Sequence, residues 1–163
     1  TKCGIDGCLA GNPGAIELLH NESAVKVMGD YTLNVFNSST MKELMEMNLA
    51  GITLSPELTL SQIEDLKPFS GQTLEALVYG RIPLMVSEYC PVGGILGGHT
   101  GKSSCDRACE RIVFKLKDRL GMECPVLCDR IDCRSVILNS NVLFIPDSLG
   151  KINKAGVNMA RLL

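Results

Sequence analysis

Cysteine is the residue type in this sequence that points most directly to chemistry. The 163-residue chain has eight cysteines, and six of them fall between Cys90 and Cys133. Thiolate sulfur binds zinc and iron–sulfur clusters strongly, so cysteines that folding brings together can hold a metal centre. The spacing is not the short CxxC…CxxC of a zinc ribbon. It therefore leaves buried thiols and disulfides open as alternatives, although the lack of a signal-peptide pattern favours metal.

Four of these cysteines form the predicted ligand set. Cys105 and Cys109 are four residues apart, so a helix starting there would present both thiolates on one face, near amides that favour the charged form. The glycine-rich loop 93–101 can fold back closely toward them. Cys133, which belongs to the later hairpin, and Cys128 are the two candidates for the fourth position. The set is Cys90, Cys105 and Cys109 with Cys133 or Cys128, and it suits either an iron–sulfur cluster or a tetrahedral zinc ion.

Composition excludes some classes of function. Hydrophobic residues make up 45% of the chain and charged residues 21%, which is typical of a globular domain. The net charge of -2 gives no bulk attraction for nucleic acid, although a local basic patch is still compatible with it. No apolar run is long enough for a membrane span, so we expect no membrane contact and a cytoplasmic location. The chain opens on Thr1 without Met, and we expect a fragment of a longer protein.

The elements that must position the cysteines follow an alternating pattern. Strand-like runs begin near residues 5, 24, 51 and 75, with helical patterns between them. This alternation predicts parallel βα units, and thus an α/β fold that is part of a TIM-like barrel or an open sheet. Capping-box patterns at 40–43 and 59–62 predict two of the helix starts.

The later part of the chain has a different pattern. We predict a helix over 106–119 that ends at Gly121, and a hairpin formed by 124–127 and 135–138. Asp147 and Ser148 are expected to cap a last helix, and a final strand begins near Met159. The predicted organisation is a βα region over 1–80, a cysteine-rich segment over 81–140, and a truncated βα unit over 141–163.

Polar residues follow several of the predicted strands. Because ligands bind beyond the carboxyl ends of parallel strands, these residues are candidates for a substrate site at the mouth of the barrel. Each has a simpler alternative interpretation. It is a turn for residues 55–57, a helix cap for residues 37–39 and a solvent-exposed position for the histidine of the glycine loop. The candidates are Tyr31, Asn34, Glu57, Arg81, Glu88, His99 and Arg134.

Several motifs together resemble one family. They are Gly29-Asp30-Tyr31-Thr32, Thr53-Leu54-Ser55-Pro56-Glu57, Tyr79-Gly80-Arg81-Ile82-Pro83, Cys90-Pro91, the pair Cys105 and Cys109, and Asp132-Cys133-Arg134-Ser135. In combination they resemble the collagenase-like peptidase family (peptidase family U-thirty-two). The resemblance spans nearly the whole chain and is to the latter part of that family's barrel domain.

The resemblance implies a function and a cofactor. The family is named for peptidase activity of unknown catalytic type, whereas several members are linked to hydroxylation of RNA bases or of a quinone precursor. Those members carry a [4Fe–4S] cluster on four cysteines, which by motif would be Cys90, Cys105, Cys109 and Cys133 here. The resemblance thus implies a cluster-dependent hydroxylase acting on RNA or a similar substrate. Cys124 and Cys128 are additional, and they leave the fourth ligand open.

Two alternatives remain beside the hydroxylase. A true peptidase cleaving collagen-like peptides lacks an obvious catalytic group, since there are two histidines and no HExxH motif. A non-catalytic domain with a structural zinc site would use the same cysteines. Catalytic residues cannot be assigned under any of these hypotheses. We expect the isolated chain to be inactive and, because half a barrel leaves sheet edges open, to self-associate.

Overall fold

The computed structural model describes residues 4–22, 25–66, 71–96, 98, 104–129 and 131–163. The strands are, in chain order, β1 Gly7–Ala10, β2 Lys26–Gly29, β3 Gly51–Thr53, β4 Leu74–Gly80, β5 Pro83–Ser87, β6 Phe114–Lys117, β7 Glu123–Cys128, β8 Ser135–Leu138, β9 Leu143–Phe144 and β10 Met159–Leu162. The α-helices are α1 Pro13–Glu22, α2 Ser38–Glu46, α3 Leu60–Asp65, α4 Pro91–Leu96 and α5 Leu149–Lys154.

The chain divides into two compact units. The first unit comprises residues 1–79 and 144–163, and the second comprises residues 80–143. No helix in the described part of the chain is long and apolar enough to cross a bilayer.

The first unit is built on a parallel sheet. Its strands follow the order β1-β2-β3-β4-β10, and every neighbouring pair in that order is parallel. Helices α1, α2 and α3 connect the first four strands, so the predicted βα units are confirmed. The described strands do not close into a barrel; the sheet is open.

Helix starts in the first unit use side-chain caps. Asn12 Oδ1 accepts the Ala15 amide at 2.8 Å at the start of α1. Thr59 and Gln62 form the predicted capping box of α3. The capping box predicted at 40–43 is wrong: Asn37 caps α2 instead, its Oδ1 accepting the Thr40 amide at 2.9 Å. Helix α2 therefore starts three residues earlier than the pattern indicated, at the nearest Asx side chain.

The core of the first unit is aliphatic. Alternate residues of the strands face the connecting helices, and Ile52, Leu54 and Leu74 are fully buried there together with Ile16 and Met41. Burying one such side chain stabilises the fold by roughly 1.5–3 kcal/mol relative to exposure. The opposite face of the sheet carries Thr53 and Glu75, which are paired across β3 and β4.

The second unit is an antiparallel sheet of four strands in the order β5-β8-β7-β6. The predicted hairpin is confirmed as β7 and β8. The helix predicted over 106–119 is wrong: the chain makes a 3-10 turn at Ala108–Glu110 and then β6, antiparallel to β7. Gly121 accordingly lies in the β6–β7 turn with φ +85°, where it donates to the Asp118 carbonyl at 3.1 Å, and does not cap a helix.

Local chemistry explains why a helix does not form. The Asp106 carboxylate accepts the Ala108 amide at 3.0 Å, a side-chain to backbone bond that competes with helical bonding. Arg107 has φ +56°, which interrupts a right-handed helix. Phe114 pairs with Val126 across the sheet. The segment therefore follows the period-two alternation of Phe114 and Leu116 as a strand, and not the helical spacing of its apolar residues. At the last helix, α5, Ser148 takes the N-cap position as predicted, but its side chain makes no cap bond.

Candidate functional site

Cys90 is the buried cysteine of the second unit. It precedes Pro91, the first residue of α4, where proline costs the helix no hydrogen bond. Its Sγ accepts the Gly93 amide at 3.3 Å, and its carbonyl accepts the Gly94 amide at 3.0 Å. The Cys90 side chain is therefore held at the start of the helix by an amide hydrogen bond.

Cys105 and Cys109 lie in the short segment before β6. Cys105 is outside any helix, and its Sγ accepts the Arg107 amide at 3.4 Å. Cys109 lies in the 3-10 turn. The expectation that both project from one α-helical face is therefore wrong, because no α-helix forms there. An ion pair of Asp106 with Arg111 at 2.6 Å braces this segment, and the hydrogen bond from Arg111 holds the pKa of Asp106 below its usual value.

Three cysteines from three segments meet in one place. Cys90 forms a small buried cluster with Val92 and Ala108, and Cys109 and Cys128 both pack against that cluster. The pKa of the Cys128 thiol is raised to about 11, first by burial and then by the neighbouring Cys90 and Cys109 sulfurs. The Ser135 hydroxyl, 3.8 Å from Cys128 Sγ, opposes that rise. We refer to Cys90, Cys109 and Cys128 as the thiol group.

Cys133 lies in the connection from β7 to β8. It adopts the left-handed conformation with φ +58°, in a turn where Asp129 Oδ1 accepts the Ile131 amide at 2.7 Å. The Asp129 amide donates to the Arg134 carbonyl at 2.8 Å and closes this turn. Cys133 as the fourth ligand stays a prediction. Cys124, in β7, pairs opposite Leu116 across the sheet.

The predicted mouth residues of the first unit have different surroundings. Tyr31 is half-buried, and its pKa is raised by burial and by the charge of Asp30. Asn34 is exposed and left-handed, with φ 53°, at the end of the 3-10 turn Tyr31–Leu33. Glu57 is exposed, and its amide donates to Ser55 Oγ at 3.4 Å, so residues 55–57 form the turn that was the alternative interpretation.

The predicted mouth residues of the second unit hold its loops. Arg81 donates to the Asn139 carbonyl at 2.8 Å and also to that of Ser140, so it ties β5 to the end of β8. Arg134 and Glu88 form an exposed ion pair at 2.7 Å. His99 lies outside the described residues. A role for these residues at a substrate site stays a prediction.

A charged cluster that sequence reasoning missed lies in the first unit. Arg161 of β10 binds Asp30 at 2.5 Å, Thr53 Oγ1 at 2.9 Å and the Glu75 carboxylate. Thr53 in turn donates to Glu75 at 2.7 Å. We call these four residues the arginine cluster. Burial opposes the charge of the guanidinium, but the hydrogen bonds that it donates to Asp30 and Glu75 outweigh this effect, so the pKa of Arg161 is raised. The sequence feature that could have revealed this cluster is Glu75, a charged residue within the otherwise apolar strand β4.

Comparison with known proteins adds the family. The model of Peptidase family U32 matches residues 1–162. The chain belongs to peptidase family U32. The predicted resemblance is thereby confirmed over almost the entire sequence of this U32 domain. No curated protein and no solved structure matches the chain significantly.

The sulfur atoms of the U32 domain are of the donor type that an iron–sulfur or zinc centre binds. Among the described residues, no three His, Cys, Asp or Glu side chains already stand in metal-binding geometry. The seven described cysteines are all free thiols. Three of them converge in the thiol group, and the sulfurs of Cys90 and Cys105 accept backbone amides, a contact that tunes ligand thiolates in metal centres. The chemistry of this donor set fits a thiophilic centre.

Proposed function

We propose that this U32 domain carries a [4Fe–4S] cluster and serves a cluster-dependent hydroxylation of an RNA base or a similar substrate. The observation that supports the proposal best is the convergence from three separate segments of the thiol group, two of whose members, Cys90 and Cys109, are proposed ligands. Cysteine sulfurs that come together from distant segments are characteristic of a metal centre, because a free thiol does not require other sulfurs beside it. Family membership supports the same proposal.

The ligands that we propose are the four cysteines of the family motifs. Cys90, Cys105 and Cys109 come from the start of α4 and from the segment before β6, and Cys133 from the β7–β8 turn. Cys128 is the alternative fourth ligand, because it packs against the buried cluster that contains Cys90. When bound, the cluster would supply one-electron transfer or a binding position for substrate. The amides of Gly93 and Arg107 would stabilise the negative charge on the Cys90 and Cys105 sulfurs.

Metal analysis of the full-length protein, prepared without oxygen, tests this proposal. We expect iron and acid-labile sulfide in equal amounts, with visible charge-transfer absorption, and loss of both when Cys90 or Cys109 is changed to Ser. Cys124→Ser is the matched control, because Cys124 lies in the same strand as Cys128 and should leave the iron content unchanged. Comparison of Cys133→Ser with Cys128→Ser identifies the fourth ligand.

Other results of the same analysis support other functions. Zinc without iron would refute the cluster and support a structural zinc site in a non-catalytic domain. The peptidase alternative is supported by the family description alone. It predicts hydrolysis of denatured collagen that a single substitution outside the cysteines abolishes. Hydrolysis that survives removal of iron would refute the hydroxylase assignment in favour of that alternative.

A further inference from the structure

One face of the antiparallel sheet in the second unit carries apolar side chains at the surface. Val86 of β5 pairs with Val136 of β8, and Val136 pairs on its other side with Leu127 of β7. Residues directly opposite each other on neighbouring strands point to the same face, so these three side chains form one row across the sheet. Leu138 and Pro125 lie two residues away along β8 and β7 and therefore point to the same side. We call these five residues the apolar face.

The opposite face of this sheet is covered. Val126 and Ile137, which alternate with residues of the apolar face, are buried. Helix α4 lies on that side, since Val92 of α4 lines the same cavity as Val126. In the described part of the second unit α4 is the only α-helix, so no other α-helix covers the apolar face. Val86 and Leu127 are accordingly 66% and 53% exposed.

We propose that the apolar face is a docking surface for a second copy of this chain, so that the protein forms a weak face-to-face dimer through its second unit. The solvated face of an antiparallel sheet normally carries polar side chains, whereas a contiguous apolar patch marks an interaction site. This inference goes beyond the proposed function and does not depend on it. It also differs from the self-association predicted from the sequence, which would use open sheet edges.

The charges beside the apolar face favour a second copy over other partners. Lys115 and Glu123 form an ion pair at 2.8 Å between β6 and β7, and Arg134 and Glu88 form one at 2.7 Å beside β8 and β5. These pairs lie toward opposite edges and opposite ends of the sheet, and each presents both signs of charge. In a two-fold dimer each corner therefore meets a corner that offers the opposite charge. An anionic membrane or a nucleic acid would instead require basic groups without these carboxylates.

The size of this surface sets the expected affinity. Leu84 of β5 and Val113, which directly precedes β6, are 58% and 81% exposed and extend the apolar surface toward both edges of the sheet. Strands lie about 4.8 Å apart and rise about 3.3 Å per residue, so four strands of about five residues give a flat area of roughly 300 Å². Stable complexes bury about 800 Å² per partner, so we expect a dimer that dissociates at micromolar concentrations.

Sedimentation velocity of the full-length protein, prepared without oxygen, tests the proposal. We expect a weight-average mass that rises from monomer toward dimer between about 1 μM and a few hundred μM, the range that suits an interface this small. Val86→Lys and Leu127→Lys each place a charge in the contact and should raise the dissociation constant about tenfold or more. Leu18→Lys is the matched control: Leu18 of α1 is 63% exposed in the first unit, so the same change there should leave the association unaltered.

Two results would overturn the proposal: a monomer at every concentration, or association that both lysine variants leave unchanged, which would assign it to another surface. Circular dichroism checks the folding of each variant. Val86 and Leu127 lie on different strands, so one variant decides the question if the other fails to fold. Iron content is measured separately on the same samples, so a failure to dimerise is distinguishable from the absence of a cluster.

Discussion

Removal of the Arg161 guanidinium is the sharpest test of the structure of the first unit. Arg161→Met keeps most of the side-chain volume and leaves the Asp30 and Glu75 carboxylates without their cation. These side chains are shielded from water, with exposed fractions of 14% for Arg161, 21% for Asp30 and 8% for Glu75. Breaking a buried ion pair by removing one partner costs about 3–5 kcal/mol, and we expect Arg161→Met to fall in this range.

The chain offers a matched control for this substitution. Arg134 binds Glu88 at 2.7 Å, but the exposed fractions are 49% and 73%. Exposed pairs contribute roughly 0–1 kcal/mol because water and salt screen them, so Arg134→Met should have little effect. The two arginines differ in burial and in the number of close partners, since Arg161 binds Asp30, Glu75 and Thr53. A large difference between the two variants would show that the shielded cluster, and not a short ion pair by itself, sets the cost.

A double-mutant cycle isolates the interaction itself. Glu75→Gln removes one of the two carboxylates that Arg161→Met leaves unpaired, so the double variant should cost less than the sum of the single ones. Residues in direct contact typically couple by about 0.5–3 kcal/mol. Urea unfolding followed by far-ultraviolet circular dichroism measures each free energy. Equal costs for Arg161→Met and Arg134→Met, or strict additivity in the cycle, would refute this reasoning.

Two further predictions concern backbone fit and pH. Gly51→Ala would place a Cβ at 2.8 Å from the Thr73 carbonyl oxygen and should destabilise by about 1–3 kcal/mol, whereas Gly150→Ala in α5 meets nothing within 4 Å and should stabilise by up to about 1 kcal/mol. Urea unfolding measures the free energy of unfolding of both variants, and equal effects would contradict the close contact at Gly51. The lowered pKa of Asp106 gives stability that is present above the usual aspartate pKa of about 3.9 and lost as pH falls through its lower folded value. Arg111→Gln should raise the pKa of Asp106 in an NMR titration, and an unchanged pKa would exclude Arg111 as its cause.

Local patterns in the sequence predicted much of the first unit. The alternation of apolar runs with helical segments predicted the βα units, because each unit buries its own strand under the helix that follows. The capping box at Thr59 and the Asn12 cap were also predictable, since a cap and its amide partner are within three residues of each other.

The errors came from segments where two local preferences competed. Residues 106–119 have apolar spacing compatible with a helix, yet Leu116 and Lys117 belong to a strand that pairs with β7. The partner strand supplies the hydrogen bonds that decide the outcome, and no pattern within the segment reveals that partner. The start of α2 is a different case: Asn37 caps it through the Thr40 amide, which confirms the helix-cap alternative for residues 37–39 over the capping box at 40–43.

The sequence by itself determined the family, the parallel βα units and the six cysteines that gather after β4. Tertiary structure alone decided which distant side chains meet. Arg161 reaches Asp30 across 131 positions of chain, and Cys128 packs against the buried cluster that contains Cys90. The physical reason is that local preference acts over a few residues, whereas these contacts depend on the order and register in which the strands pair.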